Sequence, residues 1–116
     1  MIVYGIPNCN TVKKARTWLT DNGLEYEFHD FKKMGISAEK LREWCAAFGW
    51  EKVLNKKGTT WKTLSPAQQS QVKDDESAIA ILLEYNSAIK RPVIENKGNV
   101  ILIGFDENEY RNLLSA

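Results

Sequence analysis

The residue with the clearest chemical potential is Cys9, which follows the short segment at residues 3–8. A β-type run ends at Tyr4, a Gly/Pro loop follows, and a helical pattern begins just after the cysteine. This order places a thiol at the N-terminus of a helix, where the unpaired N–H groups and the helix dipole favour the thiolate. Because the thiolate is the reactive form of cysteine, the segment predicts a thiol enzyme.

Small polar side chains flank the sulfur in this segment. Asn8, Asn10 and Thr11 can donate hydrogen bonds to a bound oxyanion or to a peptide-like ligand, so we predict that they bind substrate. The alternative interpretation is a small buried side chain at a strand–helix junction. Pro7, Asn8 and Asn10 are poor core residues, which favours the reactive interpretation of Cys9.

The dipeptide Arg91-Pro92 is the second candidate for the site. If this turn faces Cys9, Arg91 would hold the thiolate or a ligand carboxylate by charge and hydrogen bonding. The alternative is an exposed arginine at the start of a strand. Lys56 and Lys57 lie in a loop that contains glycine, and they either bind an anion or are simply solvated.

The remaining candidate side chains favour no metal site. Cys45 lies within a helical pattern on an apolar stripe, so we predict a buried structural thiol, with a resolving cysteine as the alternative. Cys9 and Cys45 form neither a CxxC pair nor a metal-ligand cluster. His29, the single histidine, supplies neither a metal site nor a convincing general base.

The composition is that of a soluble globular protein. The 116 residues suffice for one domain, over 1–116, with 43% hydrophobic and 27% charged residues. A net charge of +1 gives no electrostatic argument for direct nucleic-acid binding or for a membrane surface. With no visible targeting segment and two free thiols expected, we predict a cytoplasmic, monomeric protein.

The periodicity of apolar residues predicts the order β-α-β, then several helices, then β-β-α. Among the segments between these elements, residues 55–60 are predicted to form a loop. The predicted strands are 2–4, 25–31, 91–95 and 100–104. The predicted helices are a first helix that starts between Asn8 and Asn10 and runs to about Asn22, then 37–48, a helix beginning at Ser65-Pro66, 76–85 and a last helix capped by Asp106.

Apolar residues at helical spacing predict which helix faces turn inward. They fall in the first helix, the helix after Ser37, the helix before Tyr85 and the last helix. These residues are Val12, Ala15, Leu19, Leu41, Trp44, Cys45, Phe48, Ile79, Leu82, Leu83, Tyr110, Leu113 and Leu114.

Three segments, residues 4–15, 54–61 and 90–93, together resemble the arsenate reductase family of thioredoxin-fold proteins. They are most similar to its small bacterial branch, which is described as glutathione-dependent thiol reductases. The resemblance implies an α/β fold with a thioredoxin-like four-stranded mixed sheet and a helical insertion at about 37–85. It also implies that Cys9 is the nucleophile, that Pro92 is a cis-proline and that Arg91 contacts the cysteine or its oxyanion adduct.

The expected function is therefore thiol/disulfide exchange by a single cysteine, with glutathione as cosubstrate and a small-molecule or protein disulfide as substrate. Lys57 and Arg91 are candidate partners of the glutathione carboxylates, and the backbone at Pro92 is expected to position the ligand.

Two alternatives stay open. Arsenate reduction coupled to glutathione and glutaredoxin is disfavoured because Asn55 and Gly104 or Phe105 stand where arsenate-reducing members carry arginines. An Spx-like regulator that binds RNA polymerase is disfavoured because the site lacks CxxC.

Overall fold

The computed structural model describes residues 1–114. The chain forms a mixed α/β structure with one sheet and two compact units. Among the described residues, the first unit contains Met1–Met34 and residues 91–114, and the second contains Gly35–Lys90. The prediction that these form one domain stays a prediction.

All four strands lie in the first unit. The elements of this unit are β1 (Ile2–Gly5), α1 (Asn10–Asp21), β2 (Glu27–Asp30), α2 (Phe31–Met34), β3 (Val93–Asn96), β4 (Asn99–Ile103) and α8 (Glu107–Leu114).

The sheet has the strand order β2-β1-β3-β4. β1 pairs in parallel with β2, and β3 pairs antiparallel with both β1 and β4. Parallel pairing of β1 with β2 requires a crossover connection, which α1 supplies. The thioredoxin-like four-stranded mixed sheet is thereby confirmed.

The core of the first unit lies between the sheet and the inner faces of α1 and α8. Apolar residues at three- and four-residue spacing on α1 meet alternate residues of the strands, as helix and strand periodicities dictate. The buried cluster contains Val3, Ala15, Trp18, Leu19, Ile94, Leu102 and Tyr110.

The second unit is helical. Its elements are α3 (Ala38–Phe48), α4 (Trp50–Val53), α5 (Thr59–Thr63), α6 (Pro66–Gln71), α7 (Asp75–Glu84) and a 3-10 turn at Asn86–Ala88.

Side-chain caps start three of these helices. The Ser37 side chain accepts the Lys40 N–H, and Ser65 and Asp74 each form a complete capping box. α3 packs against α7, and an isolated bridge joins Leu54 to Ile89. These helices form the predicted insertion between the second and third strands.

Several predicted boundaries were wrong. The strand predicted to run to residue 31 ends at Asp30, because the Asp30 carboxylate accepts the N–H groups of Lys32 and Lys33 and so starts α2. The loop predicted at 55–60 ends at Gly58, because α5 begins at Thr59. The strand predicted at 91–95 begins two residues later, at Val93.

The prediction that certain helix residues face inward is wrong for two of them. Leu83 is 44% exposed and Leu113 is 60% exposed. Each lies beside a buried face of its helix, but no side chain covers either of them enough to bury it. The buried Ile79 and Leu82 on α7 and Tyr110 on α8 confirm the rest of these two stripes.

Within residues 1–114, no helix is both long and apolar enough to cross a membrane. The same residues contain no group of three or more His, Cys, Asp or Glu side chains placed to hold a metal ion.

Candidate active site

The loop that carries Cys9 is built from the end of β1. Gly5 lies so close to α1 that an added Cβ would be 2.9 Å from a Val12 methyl carbon, so only glycine allows this approach. A turn follows in which the Cys9 N–H donates to the Ile6 carbonyl at 3.2 Å, with Pro7 at the position where turns favour proline. The chain then enters α1 directly.

Cys9 is the N-cap residue of α1. Its backbone is extended, with φ −90° and ψ 125°, and its carbonyl accepts the Lys13 N–H at 3.0 Å. An N-cap side chain points toward the N–H groups of the second and third helical residues. In this helix those residues are Thr11 and Val12, so the sulfur occupies the place of a capping oxygen.

The surroundings of the sulfur lower the pKa of Cys9 below the ordinary thiol value of 9.0. Partial burial is the largest single influence and acts to raise the pKa. It is outweighed by the Val12 N–H, by the hydrogen bond and the charge of Arg91, and by the Thr11 N–H. All of these groups are donors or positive charges, so they stabilise the thiolate more than the neutral thiol.

Arg91 reaches the cysteine because β3 pairs directly with β1. The Arg91-Pro92 bond is cis, and β3 begins immediately after it. The Pro92 carbonyl accepts the Gly104 N–H at 2.8 Å, which fixes the end of β4 to the same turn. The cis-proline that the sequence resemblance implies is present, and the arginine lies beside the thiol.

The predicted substrate-binding side chains are accessible. Asn8, Asn10 and Thr11 are exposed around the start of α1. Lys57, in the second unit, is also exposed, and its N–H donates to the Asn55 side chain at 3.1 Å. Their role in binding substrate stays a prediction.

Lys56 has a different environment from its neighbour Lys57. Its ammonium lies 5.3 Å from the ring centre of Trp50 and 5.6 Å from that of Trp61. Both distances are those of cation–π contacts. Of the two loop lysines, Lys57 therefore has the less constrained charge.

Cys45 is a buried thiol on α3, as predicted. Burial is the main cause that raises its pKa to about 11, and the charges of Asp75 and Glu76 add to the effect. At neutral pH this group is a neutral thiol, the unreactive form.

Sequence reasoning missed two features near the site. It invoked helix amides without identifying Val12, although counting three residues from an N-cap at Cys9 would have named it. It also missed the buried Glu95 carboxylate on β3, which accepts a hydrogen bond from the Tyr4 hydroxyl at 2.8 Å. No local signal in a β-hairpin distinguishes a buried glutamate from an exposed one.

In this structure a cysteine caps the N-terminus of a helix, and a cis-proline turn that leads into a four-stranded mixed sheet lies beside it. This arrangement is that of the thiol reductase class of thioredoxin folds. The model of the ArsC family matches residues 4–113, and the chain belongs to that family.

Solved structures and other proteins resemble the chain over almost its whole length. The YffB protein is 46% identical with a TM-score of 0.92, over 98% of both chains. An arsenate reductase (ArsC) related protein from Brucella melitensis is 42% identical with a TM-score of 0.76, over 99% of this chain and 94% of that one.

Two relatives show the range of names in this group. A protein from Haemophilus influenzae named only as uncharacterized is 41% identical over 94% of both chains. The global transcriptional regulator Spx of Streptococcus agalactiae is 26% identical over 93% of this chain and 78% of its own length.

Proposed function

We propose that this protein is a glutathione-dependent thiol/disulfide oxidoreductase that uses Cys9 as its single nucleophile. The observation that carries the proposal is the environment of the sulfur, in which Val12, Arg91 and Thr11 together lower the pKa of Cys9. A lowered pKa raises the thiolate fraction at neutral pH, and the thiolate is the attacking species in disulfide exchange.

The reaction runs in two exchanges. The Cys9 thiolate attacks one sulfur of a disulfide R–S–S–R′, forms a mixed disulfide with R–S and releases R′–S⁻, which takes a proton from solvent. A glutathione thiolate then attacks the mixed disulfide and restores the Cys9 thiolate. A second glutathione reduces the resulting R–S–S–glutathione, so that two glutathiones are oxidised to one glutathione disulfide for each R–S–S–R′ reduced to two thiols.

The resolving thiol comes from outside the chain in this scheme. The position three residues after Cys9 is Val12, so the site has no CxxC partner. Cys45 is buried, and burial chiefly raises its pKa to about 11. Glutathione supplies the missing thiol, and Arg91, beside Cys9, is a partner for one of its carboxylates. A reducing compartment such as the cytoplasm provides glutathione in the reduced form.

A coupled assay tests this function. Hydroxyethyl disulfide and reduced glutathione are the substrates, and glutathione disulfide formation is followed through glutathione reductase and NADPH. We expect turnover by the wild type, none by Cys9→Ser, and wild-type turnover by the matched control Cys45→Ala. Equal rates for wild type and Cys9→Ser would contradict the proposal.

Arsenate reduction is a second candidate, because the pairing of Cys9 with Arg91 also suits an oxyanion adduct on sulfur. The name of the Brucella melitensis protein points the same way. Asn55, Gly104 and Phe105 supply no cation for such an adduct. The same assay with arsenate and glutaredoxin decides: arsenate-dependent turnover that is lost in Arg91→Ala supports this candidate, and its absence removes it.

A redox-sensing regulator is a third candidate, favoured by the Spx relatives. Such a regulator would form a stable complex with RNA polymerase and show no turnover with any thiol donor. Affinity capture of RNA polymerase together with a null coupled assay would favour it over the enzyme.

A further inference from the structure

An open groove of about 390 Å³ lies along α1 in the first unit, beside the loop between β4 and α8. Along α1, Lys13 and Lys14 come first and Trp18 follows about one turn later, while Phe105 lines the groove from the loop after β4. Asp21 lies at the far end, at the last residue of α1. None of these side chains has a part in the exchange reaction described above.

Both walls of this groove are attached to the candidate active site. One wall is α1, which begins immediately after Cys9. The other is the loop that starts at Gly104, whose N–H is bonded to the Pro92 carbonyl at 2.8 Å. Lys13 follows Cys9 by four residues, so it lies on the same side of α1 about one turn away, and a ligand that reacts at Cys9 meets the groove there.

Packing fixes the two aromatic side chains that line the groove; Phe105 is half-buried, and Trp18, which is 8% exposed, contributes only an edge. The Trp18 and Phe105 rings both pack edge-on against the buried Tyr110, with ring centres 5.6 and 4.8 Å away. The Tyr110 hydroxyl donates to the Gly104 carbonyl at 2.6 Å and so holds the loop. Preformed aromatic surface of this kind is where binding energy concentrates in protein–ligand contacts.

The end of the groove nearest Cys9 carries positive charge that is open to a ligand. Lys13 and Lys14 are exposed and form no salt bridge with any residue in the part of the chain that the structure describes. The Glu107 carboxylate, which also lines the groove, is 3.1 Å from the Arg111 guanidinium, which offsets its charge. The near end is therefore complementary to an acidic side chain.

We infer that this groove binds the polypeptide chain of a protein disulfide substrate, with an acidic residue at the two lysines and an apolar residue on Phe105, beside the edge of the largely buried Trp18. This inference rests on the proposed function and names its substrate class. Glutathione has no apolar side chain that would cover these aromatic side chains, whereas a polypeptide does. The exchange itself is unchanged: R–S is the cysteine of the docked chain.

The spacing along α1 gives the expected motif. A helix rises 1.5 Å per residue, so Lys13 and Lys14 lie about 6–8 Å from Cys9 along the axis and Trp18 lies about 13 Å away. An extended peptide advances about 3.3–3.6 Å per residue. The acidic residue is therefore expected about two positions from the substrate cysteine, and the apolar residue about four.

The test uses three disulfide probes. The first is a peptide whose cysteine is disulfide-bonded to 2-mercaptoethanol, with Glu at two positions and Leu at four positions from the cysteine on both sides. The second has Lys in place of each Glu, and the third is hydroxyethyl disulfide. We expect kcat/KM for the Glu peptide to exceed that for the Lys peptide by about tenfold, and the difference to shrink at high salt.

The variant Lys14→Glu should abolish the preference for the Glu peptide while leaving turnover of hydroxyethyl disulfide within about twofold of wild type. The matched control Lys33→Glu, an exposed lysine on α2 outside the groove, should retain the preference. Equal kcat/KM for both peptides in the wild type would overturn the inference. So would an equal loss on all three probes in Lys14→Glu.

A binding measurement tests the groove independently of whether the protein catalyses disulfide exchange. Fluorescence anisotropy of the labelled, reduced Glu peptide is measured with the Cys9→Ser protein, which cannot react. Tighter binding of the Glu peptide than of the Lys peptide, lost in Cys9→Ser/Lys14→Glu, supports the groove even if the coupled assay shows no turnover. No difference between the peptides contradicts the groove even if turnover is high.

Discussion

At the scale of single residues, the reactivity of Cys9 depends on a balance of opposed influences. Partial burial raises the pKa of its thiol, while the Val12 N–H, Arg91 and the Thr11 N–H lower it, and the lowering wins. Two of the three favourable groups are backbone amides, which no side-chain substitution removes. Arg91 is the favourable group that truncation of a side chain removes.

Replacing Arg91 by alanine is expected to raise the pKa of Cys9, because the thiolate loses a charged hydrogen-bond donor. A hydrogen bond to a charged group contributes about 1.5–3 kcal/mol, so the alkylation rate of Cys9 at pH 7 should fall by about tenfold or more. Arg91→Lys keeps the positive charge but loses the planar guanidinium, so its alkylation rate should lie between those of the wild type and Arg91→Ala. An alkylation rate in Arg91→Ala equal to that of wild type would show that the amides suffice.

At the scale of secondary-structure elements, β1 and β3 hold the two halves of the site together. β1 leads to Cys9 and β3 follows Arg91, and the two strands pair directly. The Tyr4 hydroxyl donates to the buried Glu95 carboxylate across this pair, at 2.8 Å. A buried carboxylate is costly unless hydrogen-bonded, so this contact matters for the strands that position the site.

The substitution Tyr4→Phe should lower the free energy of unfolding by about 1–3 kcal/mol, because it removes a donor from a buried acceptor while keeping the ring. Urea denaturation measures the change. The control Tyr26→Phe removes a hydroxyl that accepts from Arg16 in a partly buried place, and it should cost less. A larger loss in Tyr26→Phe than in Tyr4→Phe would contradict this assignment.

A feature of the site could be predicted from the sequence when neighbouring residues alone determine it. The position of Cys9 at the start of α1 follows from neighbouring residues alone, so the sequence predicted it. The closeness of Arg91 to Cys9 depends on pairing between strands about ninety positions apart, so the residues themselves left an exposed arginine as an alternative. Only the resemblance to a known family favoured the active-site position.

The errors have the same physical origin. Leu83 and Leu113 satisfy helical periodicity, but periodicity does not show whether anything covers the edge of the apolar stripe. The Asp30 carboxylate accepts two backbone N–H groups and so starts the helical turn α2. For this reason β2 ends before the predicted end of the strand.

At the scale of the whole molecule, the fold makes its two cysteines chemically unequal. Cys9 is partly exposed with a lowered pKa, and Cys45 is buried with its pKa raised mainly by burial to about 11. Both belong to one chain with a net charge of only +1, so no overall field distinguishes them. The difference comes from folding alone.

Incubation of the native protein with oxidised glutathione should therefore give a single adduct, on Cys9 and not on Cys45. In urea, where burial is lost, both cysteines should react. Mass spectrometry of proteolytic peptides measures this. An adduct on Cys45 in the native protein would show that its thiol is accessible and would remove the case for a single nucleophile.

The pH dependence of Cys9 alkylation shows whether the start of α1 and Arg91 stabilise the thiolate. The rate of iodoacetamide labelling is followed on the Cys9 peptide by mass spectrometry between about pH 4 and pH 10. Because the thiolate is the deprotonated form, the rate rises with pH through the pKa and then levels off. We expect a midpoint below the ordinary thiol value of 9.0. A midpoint at or above 9.0 would mean that these groups do not stabilise the Cys9 thiolate.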